Sequence, residues 1–386
     1  MGKGLVKEGY MAEPLKNLLN KDVIEGMAMH FKKQWSKFDA KGFVTAATKD
    51  LETLELKERT ERITNTMIDY LPADFNKAGG IMLASLGSPL DDNISAGTVD
   101  AKGIAGWAVT PLTHYVGLRG YDHFDLSMTL LKEMTKRASS EFGIRFFLLA
   151  SPLKTLSVMK TWTTDSNQHV RRLASEGSRP RLPWAMCLPV FIKDPAPVLE
   201  ILEQLKDDDK EYVRRSVANS LNDIAKDNAD LVAEIAAQWM IGASEERKKL
   251  IRHACRTLVK DGHKKTLKVL GFKTPKIKQA SINITTPKVN FGDALQFTFS
   301  ISSDVNRNQT LVIDYIIHHQ KANGKTSPKV FKWRTTTLSG KNMLILDKKH
   351  VIRKITIRVY YPGLHMVEVM VNGVSMAKAD FQLLMP

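Results

Sequence analysis

The sequence predicts a mainly α-helical protein: a helical solenoid followed by a C-terminal β-sandwich. Three observations carry that expectation. Apolar residues recur at three- and four-residue spacing up to about Phe272, a 43-residue repeat runs inside that part, and alternation of period two takes over after Pro275. The expected segments are a flexible extension over 1–11, a helical repeat domain over 12–272 and a sandwich domain over 276–386.

Met1 to Tyr10 carries glycine and lysine but no apolar signal-peptide core, and order is expected from about Ala12-Glu13-Pro14-Leu15. The helical pattern is illustrated by Val198, Ile201, Leu202 and Leu205. Breaks are expected at Pro72, Gly79-Gly80, Pro111, Pro152, Pro180, Pro183 and Pro195, leaving helices of roughly ten to eighteen residues.

Within this part Asp165 precedes Val170-Arg171-Arg172 by five residues, and Asp208 precedes Val213-Arg214-Arg215 by the same five. Glu246 before Ile251-Arg252-His253 is a weaker third copy, 38 residues further on. A period near forty with paired helices is the mark of a HEAT-like array, whose helix pairs bury their apolar faces only by stacking. The aspartates are expected to cap the second helix of each pair.

After Phe272, Leu295, Phe297, Phe299 and Ile301 alternate with polar residues, as do Ile355, Ile357 and Val359, then Val367, Val369 and Val371. Asn323-Gly324 and Asn372-Gly373 are hairpin turn signals. Short strands of this kind point to an antiparallel, immunoglobulin-like sandwich.

The chain carries 57 Lys/Arg against 41 Asp/Glu, a net charge of +16. Of these, 17 Lys/Arg and 6 Asp/Glu lie from Lys273 onward, so the smaller domain holds +11 of the excess. Such an excess points to a polyanion, and a phosphate-contacting module is preferred over a lysine face kept for solubility. No stretch approaches the ~20 apolar residues a membrane span needs. Cys187 and Cys255 are expected to be buried free thiols of a reducing, cytoplasmic compartment. No Cys/His ligand cluster and no Gly-rich loop followed by Lys-Ser/Thr occurs, so neither metal nor cofactor is expected.

Register places Arg172 and Glu176 on one helix face, and Arg215, Asn219 and Asp223 on the equivalent face of the next repeat. Glu176 and Asn219 occupy matching positions. A concave surface bearing arginines beside carboxylates, and a structural ladder of Arg–carboxylate pairs between repeats, both fit this spacing. The intervening run Ser175-Glu176-Gly177-Ser178-Arg179-Pro180-Arg181-Leu182-Pro183-Trp184 is stiff and basic. A helix is expected to begin at Trp184. Phosphate and base contact, or an ordinary inter-repeat turn with a packed Trp, remain open for it.

Three segments resemble the AlkC branch of the HEAT-like DNA alkylation-repair glycosylases, which also includes AlkD. They are Ala12-Glu13-Pro14-Leu15-Lys16, Glu141-Phe142-Gly143-Ile144-Arg145 and the run from Val170 to Ala185. Gly143 and Phe146 depart from the family's expected Ala and Pro. The resemblance covers the helical part, and some AlkC proteins carry a C-terminal immunoglobulin-like domain. It implies monofunctional hydrolysis of N-glycosidic bonds to cationic bases such as 3-methyladenine and 3-methylcytosine in duplex DNA, without deep base flipping. It also implies that Glu141, Glu176 and Asp223 are the active-site carboxylates. The expected lesion- and DNA-contacting set is Trp184, Arg172, Arg171, Arg179, Arg181, Asn219, Arg215 and Trp162. A monomer acting on alkylated double-stranded DNA at the bacterial nucleoid is expected, with no membrane partner.

The residue types suit this chemistry. A ring-alkylated base is already positive and leaves readily, while the sugar becomes cationic. Carboxylates aimed at the sugar stabilise that charge, and one of them can orient or deprotonate water. A Trp184 face against a cationic base is worth about 0.5–2 kcal/mol. The competing readings are a non-catalytic HEAT-repeat DNA-binding protein and a protein scaffold.

Overall fold

The chain folds into two packing units, Met1–Asp223 and Ile224–Pro386. The structure, a computed structural model, describes residues 14–90, 98–356 and 358–385. The expected extension over 1–11, Ala12, Glu13 and Ile357 lie outside the described residues.

The first unit opens with α1 (Lys21–Gln34), α2 (Ala40–Thr48), α3 (Leu56–Tyr70) and α4 (Phe75–Ser85). The Asn20, Asp39 and Asp74 side chains each accept the backbone N–H three residues on, fixing where α1, α2 and α4 begin. Next come α5 (Val109–Arg119), α6 (Phe124–Thr135) and α7 (Ile144–Ala150).

Two of the expected breaks do not interrupt helices. Gly79 and Gly80 lie inside α4, where a Cβ on Gly79 would come within 3.0 Å of Leu130 Cδ1 on α6. That glycine permits close helix contact. Pro111 sits in the first turn of α5, where its missing N–H removes no intrahelical bond.

The repeats follow as the pair α8 (Pro152–Thr161) and α9 (Gln168–Gly177), the short α10 (Pro189–Lys193), and the pair α11 (Ala196–Leu205) and α12 (Glu211–Ile224). Their cores are the apolar stripes read from sequence: Val170 and Leu173 on α9, then Val198, Ile201, Leu202 and Leu205 on α11 are all buried. The expected capping by Asp165 is corrected. Asn167 caps α9 by accepting from His169 and Val170 N–H. Asp165 instead accepts the Asn167 N–H at 2.8 Å and pairs with Lys132 at 2.6 Å.

Asp208 takes the equivalent place before α12, accepting the Lys210 N–H and two bonds from Arg171 at 2.6 and 3.0 Å. Arg171 and Arg214 also donate back to the Asp165 and Asp208 carbonyls. This is the inter-repeat ladder, and it occupies Arg171. The expected helix start at Trp184 is corrected too: 181–187 is non-helical and α10 begins at Pro189, whose missing N–H suits a first helical position.

The second unit contains α13 (Ala229–Met240), α14 (Glu245–Ala254), α15 (Arg256–Lys260) and α16 (Lys264–Val269), then the strands. These are β1 (Ile277–Ile284), β2 (Lys288–Asn290), β3 (Ala294–Ser303), β4 (Gln309–Gln320), β5 (Thr326–Leu338), β6 (Met343–Val351), β7 (Gly363–Val371) and β8 (Val374–Leu384). One sheet has the order β1-β3-β6 and the other β2-β8-β7-β4-β5, with β2 parallel to β8. Leu295, Phe297, Phe299 and Ile301 face Val367, Val369 and Val371 across one buried core.

Asn372 and Gly373 both have positive φ, at 47° and 75°, and form the β7–β8 turn. Of the alternating residues around 355–359, Ile355 forms an isolated bridge to Arg358 and Val359 is exposed, and neither lies in a strand. Asn372 Nδ2 donates to the Lys273 carbonyl at 2.7 Å, tying the sandwich to the helix-to-strand connection.

Cys255 is buried and its thiol is pushed up to about 12, whereas Cys187 is exposed in an irregular segment, contrary to expectation. Among the described residues no helix is long and apolar enough to cross a membrane. Nor do the described residues include a group of three or more His, Cys, Asp or Glu that could hold a metal.

Candidate active site

The second helices α9 and α12, together with the turn before α7, bring three carboxylates and two arginines into one connected chain. Arg172 Nη1 donates to Glu141 Oε2 at 2.8 Å, and its Nη2 lies 3.5 Å from Glu176 Oε1. Arg179 Nη1 donates to the same Glu176 oxygen at 2.6 Å, while its Nε donates to Asp223 Oδ2 at 2.8 Å. The order is therefore Glu141, Arg172, Glu176, Arg179, Asp223. Helical spacing creates the inner links: Arg172 and Glu176 are four apart, and Arg179 follows three later.

Burial is graded along this chain. The side chains of Glu141 and Arg172 are 16% and 17% exposed, but Glu176 and Asp223 are 5% and 2% exposed. The acids are thus enclosed more than a row lining an open face would be. Burial alone would raise the Glu176 carboxyl, but the Arg172 and Arg179 guanidiniums hold it below its ordinary value. Burial works against the charge of both arginines as well, and their carboxylate partners more than restore it. The chain of pairs holds three carboxylates and two guanidiniums, a third guanidinium, Arg145, interacts with both Glu141 and Asp223, and Glu141 is the most exposed of the acids.

Four supporting residues escaped the sequence reading. Ser139 Oγ donates to Glu141 Oε2 at 2.6 Å. The Tyr212 ring lies 4.9 Å below the Arg172 guanidinium, and Ser216 meets Ser175 at 2.6 Å. Repeat register contained a signal for Tyr212, because it precedes Val213 as His169 precedes Val170, and the two rings meet edge to face at 5.5 Å. The fourth is Arg145, fully buried, which donates to the Met186, Gly177 and Arg179 carbonyls at 2.6, 2.9 and 2.9 Å. Burial lowers its pKa to about 10. It staples both ends of the loop that carries Arg179 and Trp184.

Trp184 itself is 62% exposed and has a φ of 65°. A left-handed non-glycine residue costs about 1–3 kcal/mol and persists where the surroundings impose it. Here the Ala185 N–H bonds the Leu182 carbonyl, and the Leu188 N–H closes the loop on the Pro180 carbonyl.

The remaining residues of the expected contact set differ in exposure. Trp162 is 4% exposed in the turn after α8, with no ring face available, so it is corrected to a core residue. Arg171 is held by Asp208 and Asp209. Arg181 and Asn219 are half-buried, and Arg215 is exposed on α12.

Comparisons with known proteins bear on this arrangement. Residues 138–258, which contain the whole chain of ion pairs, match the family described as DNA alkylation repair enzyme. Residues 278–385 match the C-terminal immunoglobulin-like domain family of the uncharacterised protein YhaZ. Over 371 residues the chain is 34% identical to uncharacterized protein YhaZ of Bacillus subtilis (strain 168), covering 96% of this chain and 99% of that protein. It is 35% identical to Pseudomonas fluorescens alkylpurine DNA glycosylase AlkC, solved bound to DNA containing an abasic site analog. That match has a TM-score of 0.85 and covers 96% of this chain and 100% of the other.

Proposed function

Because the chain belongs to the HEAT-like DNA alkylation-repair glycosylase family that includes AlkC, we propose that it hydrolyses the N-glycosidic bond of cationic alkylated bases in duplex DNA. The substrates are bases such as 3-methyladenine and 3-methylcytosine, cleaved without first being drawn into a deep pocket. The observation that carries this reading is the chain of ion pairs that draws three carboxylates together and leaves its outermost acid, Glu141, partly open to solvent.

As the C1′–N bond breaks, its electron pair goes to the base and the sugar becomes an oxocarbenium ion. Glu141 faces that charge, while Glu176 and Asp223 hold the arginines and deepen the negative potential in a poorly hydrated setting. Water then adds to C1′ and gives up a proton, completing the hydrolysis. Glu141 is placed to orient that water. Trp184, presented rigidly, lies against the lesion, and its ring face favours a cationic base.

The abasic site analog in the Pseudomonas complex resembles the product this reaction would leave. DNA is held also by the basic sandwich over 276–386, and the protein acts as a monomer without metal or cofactor at the nucleoid of the cytoplasm. The test is incubation with duplex DNA bearing one 3-methyladenine or 3-methylcytosine, scored for abasic sites with no metal or cofactor added. Abasic sites at the lesion alone support the proposal. Tight binding with no abasic sites would make this a non-catalytic DNA-binding protein.

A further inference from the structure

Beside the acid–arginine chain, and wholly within the first unit, lies a cavity of ≈ 280 Å³. Its walls are largely aromatic: Trp107, His114, Phe142, Phe146 and Trp184, with Met186. Trp107, His114, Phe142 and Phe146 are half-buried, which leaves part of each ring available to a guest. The Phe146 ring meets His114 edge to face at 5.2 Å, and Gly117 on α5 makes room for that ring, because a Cβ there would strike it.

Two segments contribute to both the cavity and the ion-pair chain, alongside lining residues from α3 and α5. Phe142 directly follows Glu141, and Arg145 fixes the Met186 carbonyl at 2.6 Å. Small-molecule sites generally span about 300–1,000 Å³, so this space lies at the size of a single heterocycle.

The lining chemistry suits a planar heterocycle with hydrogen-bonding groups on its edge. Among the described residues, the charged ones lining it are Lys57 and Glu61, both exposed on α3. Burial lowers the His114 pKa, with Glu61 opposing weakly, so the imidazole is neutral at pH 7 and offers one donor and one acceptor. A cationic base bound to sugar becomes neutral when it leaves with the bond's electron pair. Aromatic walls and a neutral hydrogen-bonding edge suit that planar, uncharged molecule.

We propose that this cavity is the exit site for the excised nucleobase, holding the free, neutral alkylated base between bond cleavage and release. The inference rests on the glycosylase reading above. Titration of the full-length protein with free 3-methyladenine, followed by tryptophan fluorescence, tests it, since Trp107 and Trp184 border the space. Saturable quenching is expected. Thr110→Phe, which fills the cavity from α5, and His114→Leu, which removes the polar edge, are each expected to weaken binding at least tenfold. Added free base should also inhibit multiple-turnover excision by the wild type and lose that effect with Thr110→Phe.

Absence of saturable quenching, or binding by both variants as tight as the wild type's, overturns the proposal. Circular dichroism confirms folding, and His114→Leu carries the test if Thr110→Phe does not fold. The titration needs no DNA, so it reads the cavity independently, whereas failure to release base from alkylated DNA overturns the glycosylase reading.

Discussion

Glu176 is the residue on which both arginines converge, and its two roles separate by measurement. Glu176→Gln keeps the shape but removes the charge that Arg172 and Arg179 share. Base release is expected to slow ~10²-fold or more, as for loss of one transition-state charge contact. Stability should fall by about 1–3 kcal/mol, because two enclosed guanidiniums lose a partner. Denaturant unfolding and single-turnover excision read the two effects, and an unchanged excision rate removes Glu176 from the mechanism. The pairing of Arg172 with Glu176 was legible as an i, i+4 spacing. The link from Arg179 to Asp223 was not, because it joins residues 44 apart and depends on how one repeat stacks on the next. Trp162 misled for the same kind of reason: local sequence does not say whether an indole faces solvent or the core.

At the scale of elements, the Lys132–Asp165 and Arg171–Asp208 pairs join successive layers of the first unit. Arg171→Ala is expected to cost ~2 kcal/mol at pH 7, because Asp208 is enclosed and left unpaired. Burial opposes the charge on Asp208, but Arg171 and the Lys210 N–H hold its carboxyl below the usual range. That contribution is present above the unfolded carboxyl's pKa of about 4 and is lost as pH falls through the lower folded value. Wild type and variant should therefore converge in stability in strong acid.

The opposite sign holds on β4. Asp314 lies at a bulge, is 6% exposed, and burial pushes its carboxyl up to about 6. Between about pH 4 and 6 the folded state binds more protons than the unfolded, so stability falls as pH rises through that window. Asp314→Asn should stabilise the protein at pH 7 by about 2 kcal/mol and not below pH 4, as read by thermal unfolding. Strand alternation and hairpin glycines made the sandwich legible. Gly79-Gly80 and Pro111 were misread as breaks because helix packing and first-turn placement override their local meaning.

Across the whole molecule, charge is the property visible earliest and assigned a role last. The sandwich domain's excess was readable by counting, but the switch from helix to strand after Val269 and the packing division at Asp223/Ile224 fall at different places. Contacts, not composition, set the latter. Substituting the exposed Lys325, Arg334, Lys349 and Lys354 with Gln in the full chain therefore tests DNA contact without removing a packed domain. The slope of log affinity against log salt should shrink by about 0.9 for each of these cations that meets a phosphate. An unaltered slope assigns the domain another task.

The central claim is that an enclosed chain of acids and arginines presents the partly exposed Glu141 carboxylate to a sugar becoming cationic. Single-turnover excision of 3-methyladenine by Glu141→Gln, at protein concentrations that saturate the DNA, tests it most directly. The account predicts a rate lower by ~10²-fold with DNA affinity kept within a few fold. An excision rate equal to wild type at saturation would contradict it.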